Sequence, residues 1–474
     1  MNLSWSINKI GCSFGRVHRG AAWCAILLIL WACGGSPEQT AEVLDKEGQP
    51  SNWQRIRVAQ VEEIGTTVPF VVARQGANAD IHLAWYNAVS VPEDHQYHQI
   101  HHLVWNAQTL ATSGSVVVNR PAPSGVDGFD RCDQFDMTVD GDVPILIYPT
   151  YQINEVLQQV EADIMVNLFD QGSWRENTGA VGFVERNPVY QDGHTTENMS
   201  VAADSQGSIH FCYQYFTEGM DSANFRYPDL YYAHWDRTAL ADPIDDITQY
   251  AQIEELVDGN TFSSYGIHNS VGYFCKLIVD DQDLPIIVYA EHGENFMGTY
   301  ALKAAFKDEG GQWHRQTVEV LPDGWEIGAI SAAFYPPDLE NPDAERPLAI
   351  AYAIRVPDPE PDSGHHLKYA TNRGGQWSTE VVDETTWCGA HCSLAFNAQG
   401  QPAIAYYDEQ SHSGRLHQFL KYAEFDGLRW NRESAEEYGI VGRYNTLWFD
   451  SQGVPNICTF SDEDNEIVVI RQIN

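Results

Sequence analysis

The chain has 474 residues, of which 43% are hydrophobic and 12% aromatic, so it carries ample material for a folded core. Asp and Glu number 66 against 27 Lys and Arg, which gives a formal net charge of -39. This charge argues firmly against a nucleic-acid backbone or an anionic membrane surface as a partner. Cations, basic proteins and neutral glycans remain compatible with it, and so does a surface whose charge serves only solvation.

Residues 1–32 are predicted to be a signal peptide. Lys9, Arg16 and Arg19 precede an apolar run over residues 21–31, which has the length of a signal-peptide core and is too short to span a bilayer. Residues 33–52 are rich in Gly, Ser, Pro, Glu and Gln, and we expect them to form a flexible tether.

The apolar run ends in Leu-Trp-Ala-Cys-Gly-Gly at residues 30–35. This motif resembles the bacterial lipobox, which implies that Cys33 is diacylated and becomes the mature N-terminus. Gly34, rather than Asp, follows the cysteine, and by resemblance to lipoproteins of two-membraned bacteria this implies the outer membrane. We therefore expect a protein of the cell envelope that is held by its lipid anchor and does not span the membrane. An ordinary cleaved secretory signal is the alternative.

Residues 53–474 repeat a pattern of short strands. An apolar strand, rich in β-branched and aromatic residues, occurs seven times, and an Asp- or Asn-led tight turn after another apolar strand precedes most copies. These Asp residues lack the alternating oxygens of a calcium loop, so we interpret them as turn residues. The seven strands begin at Ile81, Pro144, Ile209, Pro285, Pro347, Pro402 and Pro455.

Several third strands of the repeat are followed by polar tips that end on tryptophan. These tips resemble the Asp-box of sialidase-type repeats, although the Ser or Thr is missing and the spacing is shortened. The resemblance is to the wider Asp-box-like propeller repeats of bacterial surface proteins, and it covers nearly all of residues 53–474. It implies that the tip tryptophans pack between neighbouring sheets and are structural. They are Trp174, Trp313, Trp377 and Trp430.

The two ends of the repeat region predict its closure. The last unit stops after a third strand, and the segment from Asn52, Asn-Trp-Gln-Arg-Ile-Arg-Val, matches the fourth-strand segment from Gln312. We therefore predict an all-β fold, a seven-bladed β-propeller of four-stranded blades whose N-terminal strand completes the last blade. Six or eight blades would follow if one unit were misread.

Six cysteines lie beyond the signal peptide and the lipobox, and an exported compartment permits disulfides. Cys388 and Cys392 are close enough in sequence to form a disulfide across a turn, if the geometry allows it. The intervening Gly-Ala-His gives one His and two Cys without a fourth ligand at zinc spacing. We accordingly predict no metal site and no cofactor. The six are Cys132, Cys212, Cys275, Cys388, Cys392 and Cys458.

In a propeller, the loops that enter the first strands and leave the second strands meet on one face, so binding residues are expected there. Aromatic rings that stack on sugars, with polar groups that read hydroxyls, would suit a carbohydrate. The two carboxylates that leave second strands, Glu291 and Asp408, are the candidate catalytic pair if the protein is an enzyme. The ligand-binding candidates are Arg131, His194, His268, Trp325, Trp387, His391 and Arg443.

We expect the propeller to bind a glycan or a partner protein of the envelope without catalysis, because propellers often serve as rigid interaction platforms. A monomer is expected. One alternative is a glycoside hydrolase or polysaccharide lyase that acts in the propeller channel. A sialidase is not predicted, because only Arg131 and Arg443 are placed near the channel and no Phe/Tyr-Arg-Ile-Pro segment precedes the first blade. A second alternative is a structural or assembly subunit of an envelope complex.

Overall fold

The structure is a computed structural model, and it shows the predicted β-propeller of seven antiparallel sheets. All regular secondary structure of the residues that it describes is β-strand. No helix in the described part of the chain is long and apolar enough to cross a membrane. The described residues are 39–44, 50–61, 71–91, 95–118, 135–154, 159–170, 173–175, 180–185, 198–216, 228–235, 255–259, 270–292, 300–338, 346–357, 364–385, 387–412 and 415–473.

The N-terminal strands and the first three blades follow each other along the chain. The N-terminal strands are β1 (Gln39–Thr40), β2 (Glu42–Leu44) and β3 (Trp53–Gln60). Blade 1 contains β4 (Val71–Gln75), β5 (Ile81–Val91), β6 (His95–Trp105), β7 (Ala111–Thr112) and β8 (Val116–Val117). Blade 2 contains β9 (Asp136–Asp140), β10 (Val143–Asn154), β11 (Gln159–Asp170), β12 (Ser173–Arg175) and β13 (Ala180–Glu185). Blade 3 contains β14 (Met199–Ala203), β15 (Ile209–Phe216), β16 (Pro228–Trp235) and β17 (Glu255–Asp258).

The remaining four blades have a more regular plan. Blade 4 contains β18 (Ser270–Val279), β19 (Pro285–His292), β20 (Tyr300–Lys307) and β21 (Trp313–Val320). Blade 5 contains β22 (Glu326–Phe334), β23 (Leu348–Val356), β24 (Gly364–Thr371) and β25 (Ser378–Asp383). Blade 6 contains β26 (Cys388–Phe396), β27 (Pro402–His412), β28 (Arg415–Phe425) and β29 (Trp430–Glu436). Blade 7 contains β30 (Thr446–Phe449), β31 (Pro455–Ser461) and β32 (Glu466–Gln472).

The ring closes as predicted, because β3 pairs antiparallel with β32 and supplies the fourth strand of blade 7. The segment predicted to be a wholly flexible tether differs from that expectation. Its strand β2 adds to β3, and its strand β1 pairs with β7 at the edge of blade 1. These short strands take up backbone groups that the outer strands would otherwise leave unpaired.

The core consists of layers between neighbouring blades, where apolar side chains of adjacent sheets interdigitate. One layer joins blades 4 and 5 through Val288, Leu302 and Ile350, which are fully buried. Three of the four tip tryptophans, and Trp53 at the start of β3, reach across the same boundaries. Each of four indole Nε1 atoms donates a hydrogen bond to the fourth strand of the preceding blade. These pairs are Trp313–Glu255 (2.9 Å), Trp377–Gln316 (2.9 Å), Trp430–Glu380 (3.1 Å) and Trp53–Glu433 (3.1 Å).

A second polar contact recurs at these boundaries, and we call it the inter-blade latch. It consists of an acidic residue late in the fourth strand of one blade and the tyrosine, lysine or arginine of the next blade that binds it. In blade 3, Asp258 accepts hydrogen bonds from Tyr289 (2.7 Å), Lys303 (3.1 Å) and Arg315 (2.6 Å) of blade 4. The other latch acids are Glu319 with Tyr352 and Lys368, Asp383 with Tyr406 and Arg432, and Glu436 with Arg55.

The structure corrects the suggested disulfide. Cys388 and Cys392 are both free and buried, and they make separate contacts. The Cys388 Sγ lies 3.3 Å from the carbonyl oxygen of Asp383, and the Cys392 Sγ lies 3.5 Å from that of Ala351 in the preceding blade. Burial raises the pKa of each thiol to about 12, so both stay protonated at neutral pH. They act as small apolar residues of the layer between blades 5 and 6.

Candidate functional site

A double irregularity opens the first strand of blade 6 and aims side chains at the face where second strands end. In β26 the register slips between Cys388 and Ala390 and again between Ala390 and Ser393. The same two slips occur in β18 of blade 4, between Val271 and Tyr273 and between Tyr273 and Lys276. Such bulges insert a residue that points out of the normal alternation.

The inserted residue has a left-handed backbone in both blades, and an equivalent residue occurs in blade 7. It is Phe274 in blade 4 (φ 55°), His391 in blade 6 (φ 53°) and Tyr444 in blade 7 (φ 51°). Non-glycine residues with positive φ are uncommon and tend to cluster at functional sites. Trp387 also has a positive φ (68°). With His391 and Tyr444, it concentrates this backbone strain near the boundary of blades 6 and 7.

Glycine makes the bulge possible, and its position is the same in each copy. Gly389 has φ +95°, and a Cβ atom there would lie 3.0 Å from the Cα of Leu367. Gly442 has φ +102°, and its Cβ would lie 2.9 Å from the carbonyl oxygen of Phe419. At both positions the positive φ and the close approach to the preceding blade favour glycine, and a side chain there would strain the backbone.

The residues that this bulge brings together form what we call the Arg443 site: Trp387, His391, Tyr407, Glu409, Arg443 and Asp462. The guanidinium of Arg443 lies 5.6 Å from the centre of the Tyr407 ring and 3.7 Å from the Asp462 carboxylate. The His391 ring lies 6.2 Å from that of Tyr407 and 4.4 Å from that of Tyr444. Blades 6 and 7 thus contribute one continuous polar cluster.

Glu409 connects this cluster to an exposed aromatic ring. Its carboxylate accepts hydrogen bonds from the Tyr407 hydroxyl (2.7 Å) and from Gln418 (3.0 Å). Its backbone N–H donates to the carbonyl oxygen of Trp387 (3.1 Å). Trp387 is 46% exposed, and its ring lies 4.8 Å from that of His365 in blade 5. An exposed indole held by its backbone is suited to stack on a flat apolar face of a ligand.

Burial sets the protonation states in the Arg443 site. Burial, with help from the Arg443 charge, lowers the pKa of His391 to about 4, so its imidazole is neutral at pH 7. Burial and the hydrogen bond to Glu409 raise the pKa of Tyr407, which keeps its phenol protonated. Burial also raises the pKa of Asp462, and the charge of Arg443 only partly opposes this. The site therefore combines a fixed cation, a neutral imidazole, a protonated phenol and carboxylates.

Three of the predicted ligand-binding residues meet here, and a fourth, Trp325, does not. Trp387, His391 and Arg443 belong to the site. Trp325 instead packs against the apolar layer between blades 4 and 5, where it is structural. The candidates Arg131, His194 and His268 lie outside the described residues, as do Cys33 and Cys132.

The suggested catalytic pair is not supported by its surroundings. Glu291 and Asp408 occupy equivalent positions two residues after the latch tyrosine, in blades 4 and 6, with blade 5 between them. Glu291 forms an ion pair with Lys303 (2.5 Å). Asp408 is completely buried and forms an ion pair with Lys421 (2.8 Å). Since each carboxylate is held by a lysine of its own blade, both extend the latches rather than face one another.

Tyr407 and Glu409 are site residues that the sequence did not single out, and His365 lies beside the site against Trp387. A signal for the site exists in a four-residue pattern that recurs near the start of first strands. Its first residue is Gly, its third is an aromatic residue or His, and its fourth is Cys or Asn. It reads Gly-Tyr-Phe-Cys from Gly272, Gly-Ala-His-Cys from Gly389 and Gly-Arg-Tyr-Asn from Gly442. Where the third residue is His or Tyr instead of Phe, the bulge presents a polar side chain.

Comparison with known proteins supports the fold. No protein-family model matches the chain, and no curated protein matches it. A solved polysaccharide lyase, described as an ulvan lyase, aligns with a TM-score of 0.52 and 9% identity over 88% of this chain and 96% of that one. The same values hold for an ulvan lyase structure bound to a glucuronate and 3-sulfated rhamnose saccharide. An α-L-arabinanase from Penicillium chrysogenum aligns with a TM-score of 0.45 and 11% identity over 92% and 99% of the two chains.

These comparisons correct the expectation of a non-catalytic binding protein. The two solved structures that align with a TM-score of 0.52 are both of a polysaccharide lyase, and they match 88% of this chain. The finding favours the enzymatic alternative. The finding does not restore Glu291 and Asp408 as the catalytic pair of such an enzyme, because each carboxylate is paired with a lysine of its own blade.

Proposed function

We propose that this protein cleaves a uronate-containing polysaccharide by β-elimination at the Arg443 site. The observation that supports this most directly is a partly exposed arginine beside a protonated phenol and a neutral imidazole. The fold likeness to an ulvan lyase, and to its complex with a glucuronate saccharide, points to the same substrate class. Eliminative cleavage needs a cation for the uronate carboxylate, a proton acceptor and a proton donor.

Arg443 is the group that would hold the uronate carboxylate. Its side chain is 31% exposed, and its distance of 3.7 Å to Asp462 is longer than a direct hydrogen bond. A substrate carboxylate can therefore form the closer, charge-assisted contact. This contact withdraws electrons from the uronate and makes the hydrogen on its C5 more acidic.

His391 is the proposed proton acceptor and Tyr407 the proposed proton donor. The neutral imidazole removes the C5 proton, the electron pair forms the C4–C5 double bond, and the C4–O bond of the glycosidic link breaks. Tyr407 gives its proton to the departing oxygen, and the Glu409 carboxylate that accepts its hydrogen bond at 2.7 Å orients the phenol. Trp387 supplies the stacking platform next to the reacting sugar.

A panel of uronate polysaccharides, including a glucuronate–sulfated rhamnose polymer, tests this proposal. The wild-type protein is expected to form the unsaturated uronate, which is detected by its ultraviolet absorbance. His391→Phe should fold, because Phe274 occupies the same bulge in blade 4, but it should lose about 100-fold or more in rate. Tyr407→Phe should do the same. Glu291→Gln, whose carboxylate pairs with the latch lysine Lys303, is the control and should retain full activity.

The proposal is wrong if no polysaccharide of the panel yields an unsaturated product, or if His391→Phe and Tyr407→Phe are both as active as the wild type. Loss of activity in Glu291→Gln with intact folding would instead support Glu291 and Asp408 as the catalytic carboxylates.

A glycoside hydrolase is the second candidate, and the raised pKa of Asp462 favours it. Burial keeps this carboxyl protonated to higher pH than usual, as a general acid requires, while Glu409 could activate water. Hydrolysis gives saturated reducing ends without ultraviolet absorbance. A reducing-sugar assay on neutral arabinans and on the uronate panel, run beside the absorbance assay, separates the two reactions.

We also propose that the enzyme is lipid-anchored at Cys33 in the cell envelope, on the side of the outer membrane. The support is the lipobox-like motif at residues 30–35 and the polar segment after it. Cys33→Ser should release the protein from membranes into the soluble fraction. Unchanged membrane retention of this variant would refute the anchor.

A further inference from the structure

Three potential metal ligands converge at the opposite edge of the ring from the Arg443 site, in blade 3. Asp204 follows strand β14, His210 is the second residue of β15, and His234 lies near the end of β16. One ligand atom from each residue lies within 4.8 Å of the other two. His210 and His234 are directly opposed across the two strands, with ring centres 4.8 Å apart. Within the described part of the chain, this is the one such group of three.

Asp204 is fixed in an orientation that leaves one oxygen for a ligand. Its Oδ1 accepts hydrogen bonds from the backbone N–H groups of Gln206 (2.9 Å) and Ser208 (2.7 Å) in the turn between the first two strands. Its Oδ2 points at the Nε2 of His210, 3.2 Å away. Asp283 of blade 4 accepts hydrogen bonds from the N–H (2.8 Å) and hydroxyl (2.7 Å) of Ser205, which holds the turn from outside.

His210 is oriented by an outer partner in the manner of a metal-bound imidazole. Its Nδ1 lies 2.7 Å from the hydroxyl of Tyr232, so Nδ1–H can donate there and leave Nε2 with a free lone pair. In this tautomer the Nε2 lone pair faces the Asp204 Oδ2 at 3.2 Å, an arrangement that an ion between the two atoms would stabilise.

The spacing fits a small transition-metal ion. Ligands at about 2.0–2.1 Å from tetrahedral zinc are separated from each other by about 3.3 Å. The Nε2–Oδ2 distance of 3.2 Å already matches this edge. The third ligand atom needs to approach by roughly 1.5 Å, which a rotation of the half-buried His234 ring can supply. Two nitrogen donors favour zinc or a similar ion over calcium, which prefers oxygen ligands.

We propose that Asp204, His210 and His234 form a three-ligand zinc site that clips together the first three strands of blade 3, distant from the glycan-cleaving face. A water molecule completes the tetrahedron. The ion links the turn after β14 to β15 and β16, so its binding stabilises this blade. The site is independent of the Arg443 site and does not depend on the proposed activity.

The chain offers a matched control in Asp308 and His314 of blade 4. These two residues have the same sequence spacing of six, with an Nε2–Oδ2 distance of 2.6 Å. Asp308 also accepts a turn N–H, that of Gln312, at 2.9 Å. Within the described residues, no third His, Cys, Asp or Glu joins this pair in a group of possible metal ligands. It therefore tests whether a His–Asp pair on a turn is sufficient.

The experiment titrates zinc into chelator-treated protein by calorimetry and repeats the titration with cobalt, read by its visible absorption. The wild type should bind one equivalent, with a tetrahedral cobalt spectrum and a higher Tm in zinc. Asp204→Asn should keep the turn, because Asn accepts the same two N–H groups, yet bind at least about 100-fold more weakly. His234→Ala should also lose binding. His314→Ala should bind as the wild type does.

The proposal is overturned if the wild type binds no zinc, or if Asp204→Asn and His234→Ala bind it with wild-type affinity. It is equally overturned if His314→Ala weakens binding as much as they do, since the titration would then report surface histidines. The thermal shift in zinc, present in wild type and His314→Ala and absent in Asp204→Asn, identifies the blade 3 site even if one variant is less stable.

Discussion

Two carboxylates that share one lysine are expected to respond in opposite ways to neutralisation. Lys421 lies 2.8 Å from Asp408 and 3.6 Å from Asp383, and both carboxylates are almost fully buried. Asp383 also accepts hydrogen bonds from Tyr406 (2.7 Å), Arg432 (2.8 Å) and the Thr385 N–H (3.0 Å). Asp408 has only Lys421 and Gln410, and its Oδ1 has no hydrogen-bond partner among the described residues.

The pKa shifts give the sign of each effect. Burial alone would raise the pKa of Asp383, but its hydrogen bonds and the Lys421 charge outweigh burial and lower it. Its ionisation therefore stabilises the fold above its unfolded pKa of about 3.9, and this is lost as pH falls through the folded value. Burial raises the pKa of Asp408 more than Lys421 lowers it. Its contribution is present at low pH and lost as pH rises through the folded value.

At neutral pH, Asp383→Asn should therefore destabilise the protein by about 3–5 kcal/mol, the cost of removing one partner from a buried ion pair. Asp408→Asn removes a charge whose burial is incompletely compensated, and it should change the free energy of unfolding by less than about 1 kcal/mol or stabilise. Urea unfolding followed by tryptophan fluorescence, at pH 7 and at pH 4, measures both. The reasoning is refuted if Asp408→Asn costs as much as Asp383→Asn at pH 7.

Three further predictions concern the bulge, the tips and the charge. Gly389→Ala should cost about 1–3 kcal/mol, because its φ is +95° and its Cβ would press on Leu367; urea unfolding measures this. Trp430→Ala should cost about 3 kcal/mol in the same assay, and Trp430→Phe less, because Phe keeps the packing on Tyr369 and loses only the bond to Glu380. Activity on a uronate polymer should rise with added salt, because a net charge of -39 repels a polyanion until it is screened.

Each of these has a clear contrary result. A Gly389→Ala variant as stable as the wild type would mean that the bulge tolerates a side chain. Equal stability of Trp430→Ala and wild type would remove the tip tryptophan from the inter-blade contact. A rate that falls steadily as salt increases would show that local cations, rather than the net charge, control the approach of the substrate.

The fold was predictable from the sequence because its signals are local. Alternating apolar residues, Asp- or Asn-led turns and terminal tryptophans recur in each unit, and short-range patterns of this kind define strands and hairpins directly. The unfinished last unit and the segment from Trp53 predicted the closure that the pairing of β3 with β32 shows. The short strands β1 and β2 were missed because they are only two and three residues long in a polar segment, and β1 pairs with the distant strand β7.

The site was predictable only in part, because it depends on contacts between strands. Trp387, His391 and Arg443 were found one by one from their place in entering loops. Their partner Tyr407 looked like an ordinary residue of a second strand. The lysine partners of Glu291 and Asp408 could not be predicted, because they lie on the adjacent third strand and only the register of the sheet brings them together. The register between paired strands decides whether a carboxylate contacts a lysine or is available to a substrate. Residue types alone do not give this register.

The inter-blade latch that closes the ring joins a residue from the start of the propeller to residues from its end. Arg55 is fully buried near the start of the propeller, and its carboxylate partners are Glu436, Asp464 and Glu466, near the end. These carboxylates are among the last residues to be synthesised. Until almost the whole chain has been made, Arg55 is therefore not neutralised and β3 has no partner strand. A chain that ends early leaves an unpaired arginine to bury, which costs several kcal/mol. Such a chain is expected to stay open and to be recognised by proteases, so that only full-length molecules persist.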